Sequence, residues 1–328
     1  MILVTGGTGF LGSTLISILI DAGKAVIATK RPSSTIPEKL KSSSLIEWVD
    51  ADVTDYFVLS DIISKAKQVY HCAAKVSYQK EDAQYMHKIN IEGTQHVVNL
   101  CMEYGARLLH VSSIAALGTN KFGIPVSETD KWEYDKTMSN YSLSKYKSEL
   151  EVWRGIAEGL DAVIVNPSLI MGLGSYKKGS GAIFEVIKKG IKIYPPGSVG
   201  IVDVVDVAKV MVALMEDENI SGERFILNSE NLSHKDLMQR IARLLGKKAP
   251  TIAANGLMLN MAWRMAKIIS LIKGTKPTLT RDATRAAQAK LAYSNRKITE
   301  TLHYEFRPVD SILQGIANTY YNNITSHK

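Results

Sequence analysis

The sequence contains few cysteines, few aromatic residues and no long apolar run. Its 328 residues include two cysteines, Cys72 and Cys101, too few for a multi-thiol metal site or a disulfide framework. We expect both to pack as small core residues. No run of about 18 apolar residues could span a membrane. The opening residues Met1–Gly6 lack the basic and apolar regions of a signal peptide, so we expect a cytoplasmic protein.

The net charge of +8 is concentrated late in the sequence. Between Arg264 and Arg307, ten basic residues stand against three acidic ones. Such a surface attracts anions, but aromatic residues do not interleave with the basic ones, so we expect a solvated helical surface and no nucleic acid partner. The overlapping segment Leu257–Ile269 is a methionine-rich helical pattern that we expect to pack against the fold. The alternative is a cover for an apolar substrate or a contact with a membrane surface, since basic residues flank it.

Short apolar runs alternate with amphipathic helical patterns through the first half of the sequence. Strands alternating with helices predict a parallel sheet covered on both faces, the doubly wound α/β class. After Pro167 the alternating pattern gives way to glycine-rich and lysine-rich loops and further predicted helices. Ser233 is the predicted N-cap of a helix over His234–Leu245. The predicted strands are Met1–Thr5, Ala25–Thr29, Leu45–Val49, Gln68–Cys72, Arg107–Val111 and Ala162–Val165, and the predicted helices are Gly12–Ala22, Val58–Ala66, Ala83–Glu103 and Asn140–Glu158.

A glycine-rich turn joins the first strand to the first helix. Thr5–Gly12 carries glycines at the positions where the backbone must turn sharply and approach a pyrophosphate closely. The helix that follows would present its unpaired N–H groups and positive dipole to the phosphates. The sequence therefore predicts a dinucleotide-binding domain over residues 1–166. Residues 167–328 are predicted to form mainly a smaller, mostly helical substrate-binding lobe, with parts returning to the Rossmann-like sheet.

The end of the second strand indicates which dinucleotide binds. An acidic residue about 20 residues after the glycines commonly binds the ribose hydroxyls of NAD. Here the strand runs into Lys30 and Arg31 instead, and cations at that point favour the 2′-phosphate of NADP. We therefore expect NADP(H) as the preferred cofactor, with NAD(H) possible.

Serine, tyrosine and lysine occur in an order suited to hydride transfer. Tyr141 and Lys145 are four residues apart, so both side chains lie on one face of the predicted helix. An ammonium near a phenol would lower the pKa of the tyrosine and make proton exchange possible near neutral pH. Ser112 and Ser113 follow the strand that ends at Val111, at the edge of the sheet where the cofactor is expected.

Three other polar residues have structural interpretations. We expect His71 to be a packed residue of a buried strand. Asp203 and Asp206 could suggest a pair of metal ligands, but one of them is expected to cap a helix beginning near Val207. No metal site is predicted.

Together these motifs resemble the extended short-chain dehydrogenase/reductase family, which includes NAD-dependent epimerases and dehydratases, over nearly the full length of the chain. Within that family, Lys30–Pro32, Asn166–Ser168 and the tail resemble the dihydroflavonol-reductase and 3β-hydroxysteroid-dehydrogenase branch. His303 stands where that branch commonly has glycine. The motifs that carry the resemblance are Thr5–Gly12, Asp52–Asp55, His71–Ala74, Asn90–Thr94, Val111–Ser113, Tyr141 with Lys145, Asn166–Ser168, Val202–Ala208, Tyr293–Lys297 and Leu302–Pro308.

The resemblance implies roles for individual residues. It assigns Ser113, Tyr141 and Lys145 as catalytic. It places the substrate near Ser77, Tyr78, Asn166 and Met171, with the loop Met171–Gly181 as a further contact. The residues implied to hold the cofactor are Gly6, Thr8, Gly9, Phe10, Leu11, Gly12, Lys30, Arg31, Asp52, Val53, Ala73, Ala74, Lys75, Asn90, Tyr141, Lys145 and Pro167.

The sequence therefore predicts an NADP(H)-dependent reductase or dehydrogenase that interconverts a carbonyl and an alcohol on a small, rather apolar molecule. One alternative is an NAD-dependent nucleotide-sugar epimerase or dehydratase, which would keep its cofactor through the turnover. Another is a non-catalytic NADP sensor. The helical patterns Ala83–Glu103 and Tyr141–Glu158 have more apolar positions than one buried face needs. Members of the family that this chain resembles commonly pair these two helices across a twofold axis, so a homodimer is expected.

Overall fold

A parallel sheet forms the centre of the fold. The structure is a computed structural model that describes residues 1–119, 123–136, 138–174 and 179–325, with side chains up to residue 319. In this part of the chain the main sheet has seven strands in the order β10-β6-β5-β4-β1-β2-β3, and every neighbouring pair is parallel. The predicted doubly wound α/β fold is confirmed. The strands are β1 Ile2–Thr5, β2 Val26–Lys30, β3 Ile46–Asp50, β4 Gln68–His71, β5 Arg107–Val111, β6 Ala162–Pro167 and β10 Glu223–Leu227.

Helices cover both faces of this sheet and bury an apolar core on each side. One face packs against α1 (Phe10–Asp21) and α7 (Val204–Glu216). The other packs against α2 (Tyr56–Ile63), α4 (Gly93–Tyr104) and α5 (Asn140–Ala157). Because both faces are covered, the strands are apolar on both sides, which is why they read as continuous apolar runs in the sequence.

The predicted helix Ala83–Glu103 is interrupted. It begins as α3 (Ala83–His87), widens into a π-helical turn at Lys88–Glu92, and continues as α4. A π-turn inserts an extra residue into the helix and is often found at functional sites. Here the turn carries Asn90 into the interior beside the predicted site, a placement that helical periodicity alone does not reveal.

The smaller lobe contains strands that the sequence did not reveal. They form a three-stranded sheet in the order β11-β9-β7 and a two-stranded β12-β8 pair. Each strand is short and lies in a segment rich in turn residues, so no alternating pattern marks it. The strands are β7 Leu169–Met171, β8 Ile193–Tyr194, β9 Ser198–Asp203, β11 Glu230–Ser233 and β12 Ile252–Ala253.

The remaining helices include two with side-chain caps that the sequence predicted. Ser233 accepts a hydrogen bond from the Asp236 N–H at 3.0 Å, and Asp203 accepts one from the Val205 N–H at 3.0 Å. Both predicted caps are confirmed, although the helix capped by Asp203 begins at Val204, earlier than expected. The helices of the lobe are α6 Ala182–Lys188, α8 His234–Leu244, α9 Gly256–Lys273, α10 Arg281–Ala286, α11 Arg296–Leu302 and α12 Val309–Thr325.

Two details of the lobe depart from expectation. The methionine-rich helix α9 does not pack against the fold, because most of its apolar side chains are exposed. His303, which ends α11, has a φ of +48° and is the one non-glycine residue with positive φ among those described. Glycine is common at such a position because an L side chain in the left-handed region clashes with its own backbone.

Candidate active site

The glycine turn forms the floor of a groove at the carboxyl edge of the sheet. Gly6 has a φ of +67°, and a Cβ there would lie 2.8 Å from the Ala73 Cα. A Cβ at Gly12 would lie 2.4 Å from the Gly6 carbonyl oxygen. These glycines are therefore required by the close approach of backbone to backbone. The N-terminus of α1 has no side-chain cap, which leaves its first N–H groups free to bind an anion.

The groove has a volume of about 180 Å³ and contains most of the predicted cofactor residues. Its walls come from the loops that follow β1, β2, β3 and β4, as the doubly wound fold requires. The first turn of α1, with Phe10, Leu11 and Gly12, lies beyond its rim. The predicted residues that line it are Gly6, Thr8, Gly9, Lys30, Arg31, Asp52, Val53, Ala73, Ala74 and Lys75, and those that sequence reasoning missed are Thr29, Ser34, Ala51, Cys72, Tyr85 and Ile89.

Buried hydroxyl groups fix the shape of this groove. The Thr29 Oγ1 accepts a hydrogen bond from the Gly6 N–H at 3.2 Å, and the Thr5 Oγ1 accepts one from the Ala73 N–H at 3.2 Å. His71 lies behind them, with its Nδ1 2.8 Å from the Thr5 Oγ1, and burial lowers its pKa to about 3. His71 is thus a neutral core residue, as predicted. Cys101 is likewise buried, and Cys72 is partly buried, packs against the core and also borders the groove.

The two cations after β2 have different environments. The Lys30 ammonium forms an ion pair with the Asp50 carboxylate at the end of β3, so its charge is already compensated. Arg31 is exposed at the rim of the groove, and its Nη1 lies 3.5 Å from the Tyr85 hydroxyl. Arg31 is therefore the cation of this pair whose charge is uncompensated by a described acidic partner.

Asn90 shapes the groove from behind. Its Oδ1 accepts a hydrogen bond from the Lys75 N–H at 2.8 Å, and its Nδ2 donates to the Lys75 carbonyl oxygen at 3.0 Å and to the Ser144 Oγ at 2.9 Å. Its side chain is buried. Asn90 therefore holds the loop Ala73–Lys75, which lines the groove, against α5.

The three predicted catalytic residues come from neighbouring elements. Ser113 follows β5, and its Oγ accepts a hydrogen bond from the Ala115 N–H at 3.1 Å. Tyr141 lies in the first turn of α5, which Ser139 caps, and the Tyr141 hydroxyl is hydrogen-bonded to the Ser113 side chain. One turn later, the buried Lys145 donates from Nζ to the Val111 carbonyl oxygen at 2.9 Å.

Burial controls the protonation of this cluster. It raises the pKa of Tyr141 to about 12, against the opposing effect of the hydrogen bond with Ser113. It also lowers the pKa of Lys145 to about 8, although the nearby carboxylate of Glu149 favours the charged form. Burial therefore outweighs the lowering effect expected from Lys145, and the net pKa of the phenol is raised. At neutral pH Tyr141 is a neutral phenol, the form that can donate a proton.

A buried carboxylate that sequence reasoning missed supports the site. The Glu149 Oε2 accepts hydrogen bonds from the Ser112 Oγ at 2.5 Å and from the Asn166 Nδ2 at 2.8 Å, and its Oε1 faces the Arg224 Nη1 at 2.9 Å. Asn166 also donates to the Ser113 carbonyl oxygen at 3.0 Å. Glu149 and Asn166 thus hold the backbone that carries Ser113. Glu149 is eight residues after Tyr141 on one helix face, and that spacing was the available signal.

The predicted substrate residues are only partly brought together. The Tyr78 ring centroid lies 6.0 Å from that of Tyr141, so Tyr78 borders the reaction space. The Ser77 Oγ instead donates to the Asp82 carboxylate at 2.7 Å. Asn166, Met171 and the predicted cofactor residue Pro167 are buried, and their roles as ligand contacts stay predictions. Residues 175–178 of the predicted loop Met171–Gly181 lie outside the described residues.

Comparison with known proteins places this geometry in a family. Residues 2–227 match the profile of the NAD dependent epimerase/dehydratase family. A protein of Synechocystis sp., provisionally named a dihydroflavonol 4-reductase, is 28% identical over 97% of this chain and 93% of its own length. Cinnamoyl-CoA reductase 1 of Petunia hybrida is 26% identical over 95% of this chain and 90% of its own length.

Solved structures agree in fold. The crystal structure of gox2253 is 28% identical, covers 98% of both chains and has a TM-score of 0.83. The UDP-glucose 4-epimerase of Thermotoga maritima is 20% identical, covers 98% of this chain and 99% of its own, and has a TM-score of 0.79, which shows the shared fold. The chain therefore belongs to the NAD dependent epimerase/dehydratase family and is an NAD(P)-dependent oxidoreductase of the extended short-chain dehydrogenase/reductase type.

Proposed function

We propose that this enzyme is an NADPH-dependent reductase that converts a ketone or aldehyde on a small apolar molecule into an alcohol. The observation that carries the proposal is the neutral Tyr141 phenol, hydrogen-bonded to Ser113 at the carboxyl edge of the sheet beside the dinucleotide groove. A protonated phenol next to a second hydroxyl suits the donation of a proton to a carbonyl oxygen.

The residues of the groove fit a dinucleotide phosphate. The glycine turn leaves no room for a Cβ at Gly6 or Gly12, and the uncapped α1 N-terminus directs N–H groups toward the groove. At the end of β2 the exposed Arg31 guanidinium could form paired, charge-assisted hydrogen bonds with a 2′-phosphate. No acidic side chain among those lining the groove occupies the position after β2, and this supports NADP(H) over NAD(H).

The three polar residues would divide the reaction between them. When bound, the reduced nicotinamide supplies the hydride. Ser113 would donate a hydrogen bond to the carbonyl oxygen and hold it beside Tyr141, which gives up its phenolic proton as negative charge develops on that oxygen. The Lys145 ammonium would stabilise the resulting phenolate and bind the ribose hydroxyls.

The surroundings of Tyr141 support an apolar substrate. Tyr78 presents an aromatic ring to the same space, 6.0 Å from the Tyr141 ring between centroids. The names of the similar reductases refer to aromatic molecules, a cinnamoyl thioester and an anthocyanidin among them. Both observations favour an aromatic ketone or aldehyde.

A screen of aromatic ketones and aldehydes with NADPH, followed by its absorbance, tests the proposal. Release of oxidised cofactor into solution with formation of an alcohol is expected. Retention of the cofactor on the enzyme, with conversion of a nucleotide sugar and no net oxidation, would assign the epimerase reaction instead. Binding of NADPH without turnover of any class would assign the sensor function.

A pair of variants then tests the role of Tyr141. Tyr141→Phe should lower turnover by about 10²–10⁴-fold, because the phenol supplies the proton and general acid catalysis contributes that much. The affinity for NADPH should stay nearly unchanged. Tyr146→Phe, which removes a hydroxyl from the same helix, is the matched control and should react like the wild type. Appreciable activity in the Tyr141 variant would remove this residue from the mechanism.

A further inference from the structure

Helix α9 directs a continuous apolar stripe toward solvent. Leu257, Met261, Met265, Ile268 and Ile272 follow one another at intervals of four, four, three and four residues, so they share one face. Their exposed fractions run from 52% for Ile268 to 81% for Ile272. Ser270 is the one buried residue of this helix, all of which the structure describes. A soluble amphipathic helix normally turns such a stripe inward, so the exposed stripe indicates a partner.

The sequence around the stripe carries charge of a single sign. From Gly246 to Arg281 there is no acidic residue. Arg264 and Lys267 border one side of the stripe and Lys273 borders the other, as their spacing on the helix requires. The basic residues of this segment are Lys247, Lys248, Arg264, Lys267, Lys273, Lys276 and Arg281.

The end of α9 is fixed to the body of the protein. The Lys276 ammonium contacts the Asp82 carboxylate at 2.7 Å, and the Gln79 Nε2 donates to the Pro277 carbonyl oxygen at 2.7 Å. Both partners belong to the loop that carries Tyr78. The helix that carries the stripe is therefore anchored, just after its C-terminal end, to the segment that follows Tyr78.

We propose that α9 binds the surface of an anionic lipid bilayer, with its apolar stripe inserted among the acyl chains and its basic borders against the headgroups. An apolar stripe between basic residues is the pattern of helices that lie in the plane of a membrane interface. A second copy of this chain would bring the same positive charge to the contact, and repulsion would oppose pairing, whereas anionic headgroups neutralise it. No helix of the described residues is long and apolar enough to cross a bilayer, so the binding is peripheral.

Co-sedimentation of the full chain with vesicles tests this proposal. The wild type should pellet with vesicles that contain phosphatidylglycerol, much less with pure phosphatidylcholine, and less at high salt because surface charges are screened. The double variant Met261→Glu/Ile268→Glu should lose binding. The triple variant Arg264→Gln/Lys267→Gln/Lys273→Gln should weaken it by about a hundredfold, since each basic residue near an anionic surface contributes about fivefold.

Phe57→Glu is the matched control, because Phe57 is the apolar residue most exposed on α2 and its loss removes no charge from α9. This control should bind vesicles like the wild type, and circular dichroism should show that all variants fold. If the double variant fails to fold, a dye on Met265→Cys provides the second readout, a blue shift on anionic vesicles.

Three results would overturn the proposal. They are the absence of wild-type binding to anionic vesicles, equal binding by the wild type and the folded double variant, and equal binding to neutral and anionic vesicles. A wild-type dimer that the double variant converts into a monomer, without vesicle binding, would identify the stripe as a contact between two copies. Each readout is independent of turnover, so the proposed reductase activity can fail without affecting this test.

Discussion

Lys145→Met should make the protein more stable near neutral pH while removing its function. Lys145 is buried, with 3% of its surface exposed. Burial lowers its pKa from 10.5 to about 8, and a difference of that size corresponds to about 3 kcal/mol of unfavourable free energy in the folded, charged state. Methionine has a similar length and carries no charge, so it removes this cost.

One favourable contact is lost in the same variant. The Lys145 Nζ donates to the Val111 carbonyl oxygen at 2.9 Å, and a hydrogen bond from a charged group contributes about 1.5–3 kcal/mol. The net stabilisation at pH 7 is therefore small, about 1 kcal/mol. The dependence on pH is the decisive measurement, because it isolates the protonation of Lys145.

The direction of that dependence follows from the two pKa values. Between about pH 8 and pH 10.5 the unfolded lysine holds its proton while the folded one loses it, so the unfolded state binds more protons and the stability of the wild type rises with pH. Relative to Lys145→Met, the wild type should gain about 2 kcal/mol between pH 7 and about pH 9.5. Urea denaturation of both proteins at the two pH values measures this gain.

A matched control removes a lysine from the surface of the same helix. Lys147 is exposed on α5, so Lys147→Met should differ from the wild type by a similar amount at both pH values, because water surrounds the ammonium in the folded and the unfolded state. If the stability of the wild type relative to Lys145→Met stayed constant or fell as the pH rises, the reasoning would be refuted. In the functional assay Lys145→Met should lose both cofactor affinity and turnover.

Three further predictions address the cofactor, the assembly and a strained residue. Arg31→Gln should weaken NADPH binding about ten- to a hundredfold and leave NADH binding nearly unchanged. Lys30→Gln should have a smaller effect, because Asp50 already pairs with Lys30. Equal affinities of the wild type for both cofactors would contradict the NADP assignment. The wild type should sediment as a homodimer at twice 36.1 kDa. Leu150→Arg should yield monomers, because it places a charge where α5 exposes an apolar side chain. A wild-type mass near 36.1 kDa would exclude the dimer. His303→Gly should raise the free energy of unfolding by about 1 kcal/mol because glycine adopts positive φ without a steric penalty, and an unchanged or lower value in thermal denaturation would argue against strain there.

The sequence predicted the parts of the fold that depend on local pattern. β5 was predicted with its observed bounds and α5 within one residue, because each combines a clear apolar period with a recognisable start or end. The sheet β11-β9-β7 was missed, since its strands pair across long intervals of sequence and none has a pattern of its own. The π-turn at Lys88–Glu92 was missed because tertiary packing, and not helical propensity, selects it.

The positions of the site residues were more predictable than their electrostatics. A parallel sheet brings the ends of its strands to one edge, so the glycine turn, Arg31 and Ser113 could be placed together from sequence alone. The charge of Lys30 is compensated by Asp50, which lies on the neighbouring strand twenty residues later and became visible only with the register of β2 and β3. The pKa of Tyr141 also changed direction from expectation, because burial outweighs the four-residue spacing to Lys145.

This difference has a physical basis that bears on the proposed reaction. Spacing along a helix fixes which side chains are neighbours, whereas the free energy of a charge depends on how much water the whole fold removes around it. In this site water removal keeps Tyr141 protonated and makes the charge of Lys145 costly. Anionic phosphates and ribose hydroxyls brought into the groove would offset that cost, so cofactor binding and the protonation of Lys145 should favour each other. The same burial that opposes stability thus prepares the site to bind an anionic dinucleotide and to donate a proton.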